Sequence, residues 1–302
     1  MEVETMSRAV SPSSNKPYGV ARVVSVWRLP RSTFYEARRR EQHPREPIKR
    51  GPKVFSDEEL LAEIRQILAA PVFAGEGYRK IWARLRHKGV RSSKDRVLRL
   101  LRHNQLLSPA RQPQPIRSNP HEGTIVTESP DRMWGTDATA TSTQIEGSVT
   151  VFAAIDHCTA ECVGIHVVKK ASRFEALEPI RQGVREYFGG FSAGAAAGLR
   201  LRHDHGSVYM SDDFQNEIKF LGIEPSPAFV RQPEGNGCIE RFFRTLKEQL
   251  LWIRRFHDLN ELRTALDEFR KHYNENWIVE RLNYRTPLQA RRDFQVDLQI
   301  AA

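Results

Sequence analysis

The sequence has no long apolar run and very little cysteine. Nowhere do 18 consecutive apolar residues occur, so no segment is predicted to cross a membrane as a helix. Residues 1–18 hold no apolar stretch of the kind found in secretory signal peptides. Cysteine occurs three times, at Cys158, Cys162 and Cys238, which is too few and an odd number for a disulfide framework. We therefore expect a protein of a reducing cytoplasm, with no membrane partner.

Acidic residues are under-represented only in the first third of the chain. The net charge is +10 over 302 residues. Residues 1–110 hold 23 of the 47 Lys and Arg but only 11 of the 37 Asp and Glu, which gives +12 there and −2 in residues 111–302. This asymmetry is typical of a polyanion-binding module joined to a different domain, although a merely soluble basic surface would give the same totals.

Residues 1–50 are predicted to form a polar N-terminal arm and a first helix-turn-helix-like unit. The arm, residues 1–17, is polar and is predicted to lack fixed structure. Apolar spacing from Tyr18 to Arg40 fits two short helices separated at Pro30. The second helix of such a unit enters the DNA major groove, which makes Arg31 a candidate DNA contact. The alternative is a helical hairpin with a solvated basic face.

Residues 51–110 are predicted to form a second helical DNA-binding unit. Ser56 and Glu59 are spaced as a capping box at the start of a helix. Two basic amphipathic helices follow at 78–86 and 92–101, with a turn between them. The candidate DNA contacts are basic side chains of these two helices: Arg79, Lys80, Arg84, Lys94 and Arg96.

A proline-containing linker, residues 111–130, separates the helical units from an α/β domain, residues 131–302. A meander of strands begins this domain, which distinguishes it from a strict alternation of strands and helices. The small-residue loop 189–198 is predicted to be mobile, and Trp134 and Trp252 are predicted core residues. The predicted elements are strands at 133–143, 148–155, 161–168 and 199–203, and helices at 172–188, 211–221, 238–252 and 259–273.

Three acidic residues of this domain stand near strand ends or helix starts. Asp137 lies in the first predicted strand, Asp204 ends the fourth, and Glu240 follows a glycine-containing loop with Pro233 and Gly235. Converging carboxylates repel one another, and a hard cation such as Mg²⁺ relieves the repulsion. Two such ions about 4 Å apart could activate an attacking hydroxyl and stabilise the leaving oxygen of a phosphodiester. The gap of 35 residues between Asp204 and Glu240 is weak evidence alone, since 37 residues are acidic.

Basic residues follow Glu240 on the same predicted helix. Arg244 and Lys247, at i+4 and i+7, share its face and are candidate contacts for a DNA backbone. The alternative is a solvated helix face. Zinc is disfavoured at Cys158, Cys162 and His166, because no fourth ligand stands at the usual spacing.

Four motifs in this half of the chain carry a family resemblance. They are Trp134-Gly135-Thr136-Asp137, His203-Asp204-His205-Gly206-Ser207, Asn236-Gly237-Cys238-Ile239-Glu240-Arg241-Phe242-Phe243, and Tyr273-Asn274 with Tyr284-Arg285-Thr286-Pro287. Together they resemble bacterial insertion-sequence transposases whose catalytic half is related to retroviral integrases. The resemblance extends over 78–287, because the Tyr78-Arg79 helix is similar to the family's N-terminal DNA-binding segment.

The resemblance implies an α/β fold with a ribonuclease-H-like mixed-sheet core preceded by all-α helix-turn-helix-like units. It implies Asp137, Asp204 and Glu240 as catalytic and metal-binding residues, with two Mg²⁺ or Mn²⁺ ions, and Lys247 as the family's basic residue. The implied function is a transposase that binds terminal inverted repeats and catalyses DNA cleavage and strand transfer. Implied partners are element and target DNA, a second copy in a homodimer or larger assembly, and an upstream-encoded segment. A bacterial, nucleoid-associated location would follow.

Two other functional classes are compatible with the same composition. One is a DNA-binding repressor whose second half serves assembly, which would have no need of three converging acids. The other is a metal nuclease that cuts DNA without joining it. Strand-transfer products would separate the transposase from the nuclease.

Overall fold

The computed structural model describes residues 2–42, 55–109, 125–227 and 236–301. The predicted boundary at 50/51 and residues 111–124 of the predicted linker lie outside these ranges. The chain divides into two compact units, residues 1–54 and 55–302, and each is described by itself. No helix within the described ranges is long and apolar enough to cross a membrane.

The first unit contains three helices. They are α1 (Glu2–Arg8), α2 (Val20–Val26) and α3 (Arg31–Gln42). Val23 and Val24 of α2 are buried, and Arg38 of α3 lies 3.5 Å from Glu4 of α1. The two predicted helices are therefore present. The prediction that the polar arm lacks structure is wrong, because α1 forms there and Val10 pairs with Pro17.

The second unit begins with three helices, α4 (Asp57–Ala69), α5 (Tyr78–His87) and α6 (Lys94–His103). The predicted capping box forms: the Glu59 N–H donates to Ser56 Oγ at 3.1 Å, and the Ser56 N–H donates to the Glu59 carboxylate at 2.7 Å. The apolar stripes of the three helices close over one core, which contains Leu60, Ile64, Ile81, Leu85, Val97 and Leu101.

A mixed sheet of five strands follows, in the order β3-β2-β1-β4-β5. Strands β1, β2 and β3 form an antiparallel meander, whereas β4 and β5 pair parallel to β1 and β4. A mixed sheet preceded by helical units is the architecture predicted from the sequence, so the predicted fold class is confirmed. The strands are β1 (Met133–Thr143), β2 (Gly147–Asp156), β3 (Cys162–Val168), β4 (Arg200–His203) and β5 (Glu224–Pro227).

Helices cover both faces of this sheet. They are α7 (Arg173–Tyr187), α8 (Asp212–Phe220), α9 (Gly237–Leu246), α10 (Leu259–Asn276) and α11 (Pro287–Ala301), with a π-helical turn Lys247–Leu251 after α9. Successive side chains of β2 point to opposite faces of the sheet and so contribute to two hydrophobic cores. Val151 and Ile155 pack with α9 and α10 on one face. Phe152 and Ala154 pack with α7 and α8 on the other. Because β2 is buried on both faces, the sheet is fixed in register beneath the site.

The loop predicted to be mobile is bonded to the C-terminal end of α8. The N–H groups of Gly194 and Ala196 donate to the carbonyls of Phe220 and Leu221, both at 2.8 Å, and Ala196 and Leu199 are fully buried. These contacts argue against the mobility that the glycine and alanine content of the loop predicts.

Candidate active site

The parallel pairing of β1 with β4 brings two of the predicted acids together. Gly135 of β1 stands opposite Arg202 of β4, so the same register two residues further on places Asp137 opposite Asp204. Neighbouring strands lie about 4.8 Å apart, and partner residues present their side chains on the same side. Asp137 is half-buried within β1, whereas Asp204 is exposed in the turn beyond β4, where its Oδ1 accepts from the Gly206 N–H at 2.8 Å.

The helix that carries Glu240 starts beside the same strand. Asn236, which precedes α9, is buried and donates from Nδ2 to the Thr136 carbonyl at 3.3 Å. Thr136 immediately precedes Asp137, so this bond joins the start of α9 to the strand that carries the first acid. Glu240 is exposed one turn into α9. The preceding loop, with Pro233 and Gly235, lies outside the described residues.

The carboxylates influence one another electrostatically. The pKa of Asp137 is raised to about 6, by burial first and then by the charges of Asp204 and Glu240, against the Ala138 N–H and Lys247, which lower it. Burial also raises the pKa of Glu240, while Arg241 opposes the increase. Tyr209 is buried nearby, and its pKa is raised by burial first and then by the charges of Asp137 and Asp204.

Asp137 and Glu240 face one open cavity of about 460 Å³. Lys247 contributes a cation to it and lowers the pKa of Asp137. Arg244 is half-exposed at its rim and donates to Glu248 at 2.9 Å. The lining residues are Asp137, Ala138, Thr139, Glu240, Phe243, Arg244, Lys247, Glu248 and Trp252. Acidic and basic groups therefore share one surface depression.

The carboxylates are neighbours without forming a closed ligand set. Within the ranges that the structure describes, no three His, Cys, Asp or Glu side chains are gathered closely enough to hold a metal ion. Asp204 turns its carboxylate toward its own loop, and Glu240 is exposed on its helix. The backbone brings the three residues to one end of the sheet, with Asp137 and Asp204 each accepting a local backbone hydrogen bond.

Three of the predicted DNA contacts in the helical unit form intramolecular ion pairs. Arg84 pairs with Glu76, both largely buried, and also lies 3.4 Å from the Asn276 carbonyl. Arg96 donates to Asp57 at 2.7 Å. Arg79 pairs at 3.0 Å with Glu280 of the α/β domain, although both side chains stay more than half exposed.

Two predicted lysine contacts lie against aromatic rings of the α/β domain. Lys80 Nζ lies 2.9 Å from the ring centroid of Trp277. Lys94 Nζ lies 2.8 Å from the Tyr284 hydroxyl and 4.7 Å from the ring centroid of Trp82. Cation–π contacts of this kind hold α5 and the start of α6 on the α/β domain. Arg31, by contrast, is exposed at the first position of α3 in the other unit.

The tryptophan predictions have opposite outcomes. Trp134 is completely buried, as predicted, and its Nε1 donates to Asp131 at 3.1 Å. Trp252 was predicted to be a core residue, and this is wrong, because it is 70% exposed at the rim of the acidic cavity. The prediction assumed a regular α-helix to Trp252, whereas the helix becomes π-helical at Lys247.

Comparisons with known proteins identify two domain families and several similar proteins. An integrase core domain family matches residues 221–287, and an HTH-like domain family matches residues 56–114. The chain is 26% identical to the transposase InsD for insertion element IS2A/D/F/H/I/K of Escherichia coli, over 78% of this chain and 79% of that protein. The chain is similar to insertion-element transposases, and part of it matches an integrase core domain family. The resemblance inferred from the sequence is thus confirmed.

Other relatives extend this similarity. An Escherichia coli protein described as the insertion element IS2A uncharacterized 48.2 kDa protein is 26% identical over 94% of this chain and 67% of its own length. Among solved structures, the catalytic core domain of BIV integrase aligns with a TM-score of 0.43 and 18% identity, covering 56% of this chain and 99% of that one. The HTLV-2 integrase catalytic core in complex with magnesium aligns with a TM-score of 0.41 and 17% identity, covering 54% of this chain and 98% of that one.

Proposed function

We propose that the chain is a DNA transposase that binds the terminal inverted repeats of an insertion element, cuts a DNA strand and transfers the new end to target DNA. One observation carries the proposal: the β1–β4 register, continued by two residues, sets Asp137 beside Asp204 in the turn after β4, and Glu240 faces the same cavity as Asp137. The relationship to transposases and the HTH-like match at residues 56–114 support a DNA substrate.

The three acids suit divalent metal ions of the hard class. Asp137 holds a raised pKa because it is buried beside two other carboxylates, and this repulsion is relieved when a cation is present. Asp137, Asp204 and Glu240 would hold Mg²⁺ or Mn²⁺, in our proposal two ions. When bound, such ions lower the pKa of water and neutralise charge on a phosphodiester. Metal binding would require the exposed Asp204 and Glu240 side chains to turn toward the half-buried Asp137.

The basic residues of α9 would hold the DNA backbone beside these acids. Lys247 faces the cavity, so its ammonium group is available to a phosphate that lies against Asp137. Arg244 is already bonded to Glu248, and this exposed i,i+4 pair is weak enough for a phosphate to replace the carboxylate. Both residues therefore orient the strand and neutralise part of its charge.

The two helical units would bind the element ends. Arg31 is exposed on α3, and Arg79 keeps more than half of its side chain exposed despite its pairing. Arg84 and Arg96 are largely buried in their ion pairs, and Lys80 and Lys94 lie on aromatic rings. For these four residues the structure supplies a role in folding and docking, and a DNA role would require release of those contacts.

Assembly is part of the proposal. A transposition event brings two DNA ends together, so we propose a homodimer or a larger oligomer on DNA, with an upstream-encoded segment as a further candidate partner. Equilibrium sedimentation with and without DNA duplexes carrying the two element ends would measure this. A monomer in both states would contradict it.

The decisive experiment uses labelled duplexes that carry the ends of the element encoding the chain, with Mg²⁺. Asp204→Asn should abolish strand cutting and leave DNA binding intact, because the residue is exposed and the change preserves its size. Asp267→Asn, at an exposed aspartate on α10 remote from the cavity, is the matched control and should cut normally. Unchanged cutting by Asp204→Asn would contradict the assignment. Cutting without strand-transfer products would favour a metal nuclease.

A further inference from the structure

Trp252 exposes an indole ring beside the proposed catalytic acids. It is 70% exposed, and its neighbour Ile253 is 69% exposed. Trp252 lines the same cavity as Asp137, Glu240 and Lys247. A large aromatic side chain left in water forgoes the stabilisation that burial would give, so such exposure indicates a surface that binds something.

The π-helical turn determines which way Trp252 faces. The Trp252 N–H donates to the Lys247 carbonyl at 2.9 Å, an i→i+5 bond that closes the turn Lys247–Leu251. In a regular α-helix, residues five apart lie roughly 140° apart around the axis and face different directions. The wider π turn brings residue i+5 back above residue i, and turns of this kind recur at functional sites. Lys247 and Trp252 are therefore presented together to the cavity.

We propose that Trp252 stacks on an unpaired base at the DNA end that lies against Asp137 and Glu240, while Lys247 contacts the adjoining phosphate. This inference rests on the proposed function and specifies which residues bind the reacting DNA strand at the site. A cation beside an exposed aromatic ring is the usual chemistry of single-strand binding, in which the ring stacks on a base and the cation meets the backbone.

The surroundings favour nucleic acid over an apolar protein partner. The cavity that Trp252 borders contains the carboxylates of Asp137 and Glu240 and the cations of Arg244 and Lys247. Beyond Ile253 the chain continues with Arg254 and Arg255, both exposed. The indole and the adjacent Ile253 thus form a small apolar surface within a charged one, and protein interfaces instead deplete charged residues at their centre.

An unpaired base fits better than an intact base pair. Inside a duplex each base has both faces covered by its neighbours, and at a blunt end only the outer face of the last pair is open, with each base still held by its partner. A strand end that separates from its partner exposes a face to Trp252 and its sugar-phosphate to Lys247. The proposal therefore predicts a preference for DNA ends with unpaired nucleotides.

The test compares two fluorescein-labelled duplexes of the same sequence, one blunt and one with a three-thymine 3′ overhang. Binding of the full chain is measured in EDTA, so that no cutting occurs. Trp252→Ala should lose about tenfold in affinity for the overhang duplex and much less for the blunt duplex, in keeping with the stacking of one base. Trp252→Phe should recover most of that loss. Ile253→Ala, at an equally exposed neighbour outside the cavity lining, is the matched control and should bind like the original chain.

A second measurement reports stacking directly. The overhang duplex should quench tryptophan fluorescence in the original chain, and the quenching should be largely lost in Trp252→Phe. Equal loss of affinity for both duplexes, accompanied by a change in oligomeric state, would overturn the proposal in favour of a contact between copies of the chain. Unchanged overhang binding by Trp252→Ala would overturn it outright. Because binding is measured without cutting, these outcomes are separate from the Asp204→Asn result that tests the proposed function.

Discussion

Replacement of His157 by Asn should change how the stability of the protein depends on pH. His157 follows β2, is completely buried, and its backbone N–H donates to the Met133 carbonyl at 3.0 Å. Its Nδ1 lies 2.9 Å from the Ile125 carbonyl, so the neutral ring carries its proton there. Among the described residues Nε2 has no hydrogen-bond partner, and burial together with the Arg281 and Arg202 charges lowers the pKa of His157 to about 4.

The size of the effect follows from this shift. A histidine with an ordinary pKa of 6.5 in the unfolded chain and about 4 in the folded protein takes up its proton more readily when unfolded. Its contribution to stability is complete above pH 6.5 and is lost as the pH falls toward 4. At 1.36 kcal/mol for each pKa unit, the total loss is about 3 kcal/mol.

His157→Asn retains a donor near the Nδ1 position and removes the titration. Above pH 7 the variant should be less stable by about 1–2 kcal/mol, since part of a packed ring is lost. As the pH falls, only the original protein loses the His157 contribution, so the two stability curves should cross at roughly pH 5–6. At pH 4.5 the variant should be the more stable of the two.

Urea unfolding at four pH values between 4.5 and 8, with EDTA present, measures both curves. Comparison of the two proteins cancels every other titrating group, because these groups are common to both. A stability difference that stays constant over this range would refute the reasoning, since His157 would then have the same pKa in both states. NMR titration of the imidazole supplies an independent check on the lowered pKa.

Three further substitutions test other parts of the structure. Arg291→Met should destabilise the protein by about 3–5 kcal/mol in urea unfolding, because it leaves the buried Glu161 carboxylate without its cation, and adding Glu161→Gln should recover part of this. The pKa of Asp57 is lowered to about 2 by its bonds to Arg99 and Arg96. In urea unfolding the original protein should therefore be more stable than Asp57→Asn above pH 3.8, and this difference should vanish as the pH falls toward 2. Gln249→Ala removes two 2.9 Å bonds to the Ala74 backbone and should speed amide exchange around residue 74, and unaltered exchange would show that this contact does not hold the loop.

Local signals in the sequence located most elements of the fold. The first strand has the predicted bounds, Met133–Thr143, because a threonine-rich segment is bounded by turn residues on both sides. Likewise α8 lies within the predicted helix 211–221 and starts after Ser211, whose hydroxyl accepts from the Phe214 N–H. These features depend on neighbours within a few residues, and such neighbours are visible in any single sequence.

Features that depend on tertiary contacts were not predicted. Strand β5, Glu224–Pro227, has two prolines and no apolar alternation, and it forms because β4 offers a parallel edge. The exposure of Trp252 depends on the π-helical turn, for which the sequence carries no recognised signal. At the site, the motifs located the three acids, but the backbone pairing of β1 with β4 was needed to place Asp137 beside Asp204.

The count of charged residues identified a basic helical unit. It did not predict that several of these basic side chains contact residues of the α/β domain. Lys80 and Lys94 lie on Trp277 and Tyr284, while Gln249, two residues after Lys247, holds the loop that precedes α5 through both polar groups of Ala74. The helical unit and the α/β domain are thus parts of one compact unit. If the helical unit binds an element end as proposed, that end meets the acids in a fixed orientation only while these contacts persist. If Lys80 and Lys94 left the aromatic rings and bound phosphates, the affinity for DNA would rise and the alignment of the DNA end with the acids would be lost. Tight DNA binding and accurate positioning of the DNA end therefore compete for the same two side chains.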